Sequence, residues 1–311
     1  NYVKHRRVPV VMPGTYATYF VPAISGESIA HGYQQALAEI AAKNGSPLCN
    51  LCSNGYFLKS SNLKIIERSF LGNRSIWDWL EINQEEWGEM KEIKGKEKEK
   101  KKKGRSDEDK LTDEEKERIA EFENRKLLNY IEKAIIRDCT VEDIGGFLYA
   151  EKKFDVFEVG GVKRTSNFSV GYMIPTRESL ESAVIEPQLH TRYALGTPFV
   201  EKGGRAGGQM IYYIELSSAV YTFSFDLDTK YIGKTTFSMD SAGKMVISEG
   251  ERKKRIGAAL DAFFKFVTEM MFGAKKTRFL PVIEWESIII AVSDDVWTVP
   301  SPFSGNYIDR A

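Results

Sequence analysis

At residue 25 the chain switches from a two-residue to a 3.6-residue repeat. Residues 8–22 alternate β-branched and aromatic side chains around Pro13-Gly14, which predicts a β-hairpin with strands at 8–12 and 15–21. Pro22 closes the second strand and Ser25-Gly26 turns the chain. Ile29, Tyr33, Ala36, Leu37 and Ile40 then recur at helical spacing, predicting a helix over 26–43 that ends at Asn44-Gly45-Ser46-Pro47. Ser25 is the expected N-cap, although Ser28 stands where a capping box needs Glu or Gln. A strand-turn-helix junction leaves the first helical N–H groups free to hold an anion. Lys4, His5, Arg6 and Arg7 lie just upstream to supply positive charge. The arrangement suits a nucleic-acid backbone better than a small metabolite, with Glu27 as the one opposing charge.

The rest of the chain alternates less cleanly. Residues 48–90, with Trp77, Trp79 and Trp87, read as an irregular, partly helical region. Residues 91–118 are dominated by Lys and Glu and are expected to form a solvated helix or to stay disordered, since they cannot bury a core. Within them, Lys98 and the Lys100–Lys103 run offer charge to a nucleic acid, but a solvated insertion is the simpler reading. Thr112, followed by Asp113, Glu114 and Glu115, reads as the N-cap of a new helix reaching residue 136. Strands are expected at 162–170, 209–216, 217–227 and 285–292, and a helix at 249–271 with Ile256, Leu260, Phe263, Phe264 and Val267 on its apolar face. This is an α+β pattern, compatible with a ferredoxin-like βαββαβ unit carrying long insertions, its first strand lying upstream of Asn1.

Composition excludes some function classes. The 311 residues contain no run of eighteen apolar residues, so no membrane span is expected, and no signal-peptide pattern opens the chain. The chain starts on Asn1-Tyr2-Val3, which places the expected natural start upstream. The 44 Lys and Arg balance the 44 Asp and Glu, so a polyanion would have to be met by a local basic groove. Cys49-x-x-Cys52 is half of a zinc motif, but no second Cys/His pair accompanies it. With Cys139 the only other cysteine, buried thiols in a reducing cytoplasm are the favoured reading and no metal or cofactor is expected.

Four further basic or aromatic clusters stand out. Lys163, Arg164, Thr165 and Ser166 follow Gly160-Gly161, combining a forked cation with hydroxyl donors; a plain β-turn entering a strand is the alternative. Gly204, Arg205 and Gly207 lie in Lys202-Gly203-Gly204-Arg205-Ala206-Gly207-Gly208, a cationic loop or a bare hairpin tip. Lys275, Lys276 and Arg278 precede Phe279, offering phosphate contact and a stacking surface, or a helix C-terminus whose cations offset the dipole. His190 and Arg192 lie near Tyr193, where base stacking competes with an ordinary buried histidine. The Lys4–Arg7 cluster itself reads equally well as a basic edge that discourages strand pairing.

Several motifs then fall in one order: Lys4-His5-Arg6, Val21-Pro22-Ala23-Ile24-Ser25-Gly26-Glu27 and His31-Gly32-Tyr33-Gln34, then Asp143-Ile144-Gly145-Gly146-Phe147-Leu148-Tyr149-Ala150 and Lys163-Arg164-Thr165-Ser166. Gly171-Tyr172-Met173-Ile174-Pro175, Ser217-Ser218-Ala219-Val220-Tyr221-Thr222-Phe223 and Arg278-Phe279-Leu280-Pro281 continue the series. Together they resemble the DevR-type CRISPR-associated family, in its archaeal type I-A form. The resemblance implies an RRM-like palm (1–45, 160–170 and 209–311), a finger-like insertion (46–159, including 91–118) and a thumb hairpin (171–208). It implies a non-catalytic, cytoplasmic backbone subunit of a Cascade surveillance complex. Copies would polymerise along guide RNA beside other Cascade subunits and hold it for pairing with target DNA. The RNA-binding residues implied are Lys4, His5, Arg6, Ser25, Gly26, Ser28, His31, Lys163, Arg164, Thr165, Ser166, His190, Arg192, Gly204, Arg205, Gly207, Lys275, Lys276 and Arg278. The alternative is an endoribonuclease of the same superfamily; the absence of Asp and Glu from residues 1–25 disfavours its aspartate-based version.

Overall fold

A computed structural model describes residues 2–12, 14–58, 61–103, 111–183, 185–193, 209–237, 241–273, 276, 279–295, 299–303 and 306–311. Along the chain, β1 (Tyr2–Val3), β2 (Arg6–Val11) and β3 (Thr18–Ala23) lead into α1 (Gly26–Lys43). Short helices α2 (Asn50–Ser53), α3 (Leu63–Ile66) and α4 (Ile76–Leu80) precede α5 (Gln84–Lys103), α6 (Asp113–Glu121), α7 (Leu127–Asp138) and α8 (Thr140–Gly145). Strands β4 (Phe147–Tyr149), β5 (Lys153–Phe154), β6 (Phe157–Glu158), β7 (Val162–Arg164), β8 (Phe168–Val170) and β9 (Ile174–Pro175) follow. Then come β10 (Ile185–Tyr193), β11 (Gln209–Ser217), β12 (Tyr221–Thr222), β13 (Phe225–Leu227), α9 (Glu249–Thr268) and α10 (Tyr307–Arg310). The contacts divide this α+β chain into one unit of residues 1–30, 170–225 and 272–311 and a second of 31–169 and 226–271.

The first unit is built on strand pairs. The β2–β3 hairpin pairs Val8 with Val21, and β3 runs one residue beyond Pro22, which stands opposite Arg7. Strand β11 is the centre of a three-stranded sheet, antiparallel to β10 and parallel to β1. The strand expected at 285–292 does not form: these residues lie in an irregular segment with Trp285, Ile288, Ile290 and Val292 exposed. Strand-forming residues need a ladder partner to become a strand, and no described strand pairs with them.

The second unit holds most of the buried apolar side chains. The expected helix 26–43 forms to the residue, with Ser25 Oγ accepting the Ser28 N–H at 3.3 Å. From His31 onward α1 buries Tyr33, Ala36, Leu37 and Ala41 in this unit. Tyr33 donates its hydroxyl to the Ala259 carbonyl of α9 at 2.9 Å. That close approach explains why α9 buries Ala258, Ala259 and Ala262 with Phe266, rather than the expected large residues; Leu260 and Phe264 are exposed. A helix meeting another at short range packs its small side chains inward.

The Lys/Glu-rich segment is less solvated than its composition implies. Helix α5 buries Trp87, Met90 and Ile93, which recur at helical spacing, and Leu111 is buried beyond it. Lys94 is buried with them and bridges Glu97 at 2.9 Å and Glu123 at 2.8 Å. Ion pairs Arg118–Glu89 and Lys126–Glu86 tie α5 to the following helices at 2.8 and 3.5 Å. Thr112 caps α6 in a reciprocal capping box with Glu115, and a π-helical turn at Phe122–Lys126 joins α6 to α7. Thr112→Ala is expected to lower stability by about 0.5–2 kcal/mol, read as a shift in the urea midpoint at unchanged slope; an unmoved midpoint would show that α6 does not depend on its cap.

Candidate nucleic-acid interface

Strand β11 organises the basic N-terminal segment. Because β1 pairs beside Tyr213 and Ile214, Lys4, His5 and Arg7 are carried past Glu215. Glu215 is buried, accepts the His5 backbone N–H at 2.9 Å and pairs with Arg7 Nη2 at 3.1 Å. Lys4, His5, Arg7 and Glu215 line an open cleft of about 580 Å³. Lys4 and Arg6 are exposed and His5 is half-buried. Burial lowers the His5 pKa, the nearby Arg7 adds to this, and Glu215 opposes both. His5 is therefore a neutral hydrogen-bonding group at neutral pH, and the positive charge here belongs to the Lys and Arg side chains. Arg7 is partly neutralised by Glu215, a carboxylate that the sequence pattern did not single out. A lone acid flanked by Ile214 and Leu216 in an apolar strand was the available signal.

On the other side of β11, β10 sets His190 opposite Tyr212. Their rings stack with centroids 5.6 Å apart, and Phe279 meets His190 edge-on at 5.6 Å. His190 Nε2 is buried and has no hydrogen-bond partner among the described residues. Leu189, Ile211 and Tyr213, on the opposite face of the same strands, are exposed. Arg192 stands in β10 opposite Met210. Lys276 places its ammonium 5.9 Å from the Phe272 ring centre. Gly204, Arg205, Gly207, Lys275 and Arg278 lie outside the described residues.

At the start of α1 the two serines are engaged within the fold. Besides the Ser25 cap, Ser28 Oγ accepts the Gly273 N–H at 3.3 Å. Gly26 opens the helix half-buried. His31 is exposed, with its ring edge-on to Phe57 at 5.1 Å.

The 163–166 cluster divides between two faces of β7. Lys163 and Thr165 are exposed, whereas Ser166 Oγ turns back onto Phe168, donating to its carbonyl at 2.8 Å and accepting its N–H at 3.1 Å. Arg164 does not present its charge to solvent, contrary to the expectation of a phosphate contact. Its guanidinium is fully buried, donating to Asp143 Oδ1 at 2.6 Å and to the carbonyls of Asp143, Tyr231 and Lys234 at 2.7–2.8 Å. Glu132 lies 3.6 Å away. Arg255 grips the other oxygen of Asp143 at 2.9 Å and donates to the carbonyls of Ile136 and Arg137. Asp143 also accepts the Gly233 N–H, and Glu132 accepts those of Thr236 and Phe237. Strand alternation is the reason: Val162 and Arg164 share the inward face and Lys163 points out. Gly146, at φ +73°, lets the backbone pass this strand; a Cβ there would lie 2.5 Å from the Arg164 carbonyl oxygen.

Cys49 and Cys52 are buried, as expected, and so is Cys139; none of the three forms a disulfide. The fold also brings Cys49, Cys52, Cys139 and Glu142 together, with one sulfur or oxygen atom of each within 4.8 Å of the others. Among the described residues this is the group of side chains able to hold a metal.

The mixture of helices with small, mostly antiparallel strand pairs defines the class as α+β. The comparisons are more specific. The family model described as "CRISPR-associated negative auto-regulator DevR/Csa2" matches residues 1–311, and the chain belongs to that family. Two relatives come from Saccharolobus solfataricus. The CRISPR-associated protein Cas7/Csa2 1 is 31% identical over 99% of this chain and 78% of its own length. The CRISPR-associated aCascade subunit Cas7/Csa2 2 is 31% identical over 94% and 73%. A Cas7/Cst2/DevR protein of Methanocaldococcus jannaschii is 26% identical over 57% of this chain and 52% of its own length. Among the described residues, no helix is long and apolar enough to cross a membrane.

Proposed function

We propose that this chain is a non-catalytic backbone subunit of a type I CRISPR surveillance complex. Copies of it polymerise along guide RNA, contact phosphate and sugar rather than base edges, and present the guide for pairing with target DNA beside other Cascade subunits. A filament that accepts any guide sequence needs contacts of this kind. The RRM-like palm, the finger-like 46–159 and the thumb 171–208 belong to the same proposal. The observation that carries it is the whole-chain family match, with a 31%-identical relative named as an aCascade subunit. The exposed Lys4, Arg6 and Lys163 add chemistry that fits phosphate.

Affinity for unstructured RNAs of different sequence, measured across a salt series, tests the reading. The logarithm of the association constant should fall steeply and linearly with log salt. Lys4→Ala or Arg6→Ala should each weaken all sequences alike and reduce the slope by about 0.7 for each phosphate no longer neutralised. Weaker affinity for one base composition only would replace backbone contact with base recognition, and cleavage of the RNA would identify a nuclease.

A further inference from the structure

We infer that Cys49, Cys52, Cys139 and Glu142 form a structural zinc site that fastens the start of α2 to the α7–α8 junction. The sequence shows half a motif because its other half lies some ninety residues on, with a carboxylate in place of the fourth thiol or imidazole. Cys49-x-x-Cys52 and Cys139-x-x-Glu142 have the same spacing. Each opens a short helix, with Cys49 as the N-cap of α2 and Cys139 as that of α8. The backbones of the two turns are joined directly, Thr140 N–H donating to the Pro47 carbonyl at 2.8 Å.

The donor geometry fits the ion. A Zn–S bond of about 2.3 Å at tetrahedral angles puts neighbouring sulfurs about 3.8 Å apart, and the four donor atoms here lie within 4.8 Å of one another. All four residues are buried. Cys52 Sγ is already 2.9 Å from Glu142 Oε1. The surrounding amides are aimed at the donors: Cys52 N–H points at Cys49 Sγ at 3.4 Å, and Leu58 N–H at Glu142 Oε1 at 3.0 Å. Such outer-shell donors fix ligand orientation and temper ligand charge. Three thiolates select zinc over magnesium or calcium, and four protein ligands leave no open position, which makes the site structural. Binding would displace the thiol protons to solvent, so retention should weaken as pH falls.

The test uses the full chain, purified without added chelator and dialysed against metal-free buffer. Mass spectrometry for metals should find one zinc per chain. Thiols should react slowly with an aromatic disulfide reagent and faster once a strong chelator is added, because losing the ion unfastens the start of α2 from the α7–α8 junction and opens the buried thiols to solvent. Cobalt reconstitution should give an intense thiolate-to-cobalt charge-transfer band with tetrahedral ligand-field bands. Cys139→Ser should weaken that band, since two thiolates remain, and Glu142→Gln should leave it but speed zinc loss to the chelator. Substoichiometric zinc, thiol reactivity indifferent to the chelator, or cobalt without the charge-transfer band would each overturn the assignment. The chelator measurement needs no variant, so a misfolded Cys139→Ser chain leaves the test intact.

Discussion

Arg164→Ala is expected to cost about 3–5 kcal/mol of folding stability. It should lower the thermal and urea midpoints far more than it changes any RNA contact. The substitution leaves Asp143 with one of its two guanidinium partners and leaves the Tyr231 and Lys234 carbonyls without their Arg164 donor. Removing one member of a buried ion-pair set costs more than the pair contributes, because the remaining charge stays out of water. Lys163→Ala, one residue away on the exposed face, provides the contrast. It should shift stability by no more than about 0.5 kcal/mol while weakening RNA binding. A stable Arg164→Ala protein that binds RNA poorly would mean that the guanidinium turns outward and that the buried arrangement is wrong.

The second large effect is expected at Gly32. An added Cβ would lie 1.5 Å from the Met271 carbonyl oxygen, 2.7 Å from its carbonyl carbon and 3.2 Å from the Phe266 ring. In an exposed helix Gly→Ala gains about 1 kcal/mol. Here the overlapping atom is backbone and cannot rotate away, so α1 or the chain after α9 must move. Overpacking of this kind costs about 1–3 kcal/mol or more, which outweighs the propensity gain. Chemical denaturation of Gly32→Ala should therefore show a lower midpoint. A midpoint raised by the substitution would show that the segment around Met271 is free to withdraw.

Local rules made part of this fold legible. The period change at Ser25 gave helix 26–43, and Thr112 with its three acids gave the start of α6. Both signals lie within a few residues and depend on local side chains and the adjacent backbone, with no remote partner needed to start the helix. Where sequence reasoning failed, the deciding partner was remote. The β-branched run within 285–292 has no described strand to pair with. The expected face of α9 counted large side chains, while the approach of α1, fixed by Tyr33 and Ala259, selected alanines. Arg164 looked like a phosphate ligand because Gly-Gly and hydroxyl neighbours surround it; Val162, two residues earlier, marked the same face as buried. Glu142 could not be matched to Cys49-x-x-Cys52 from spacing alone, since the fold brings them together. Lys4, Arg6 and Lys163 are exposed, and their proposed RNA contacts are what the binding experiments test.

The buried quartet also bears on how quickly the protein can find a partner. Arg164 and Arg255 leave solvent together with Asp143 and Glu132, so enclosing them leaves the balance of 44 cationic and 44 acidic side chains unaltered. Beyond a screening length of about 8 Å at physiological ionic strength, the chain therefore presents no monopole to a polyanion. Capture of RNA would then depend on random collision with the exposed cations, at the unsteered rate of about 10⁵–10⁶ M⁻¹s⁻¹. Added salt should shorten the life of the bound state much more than it slows encounter.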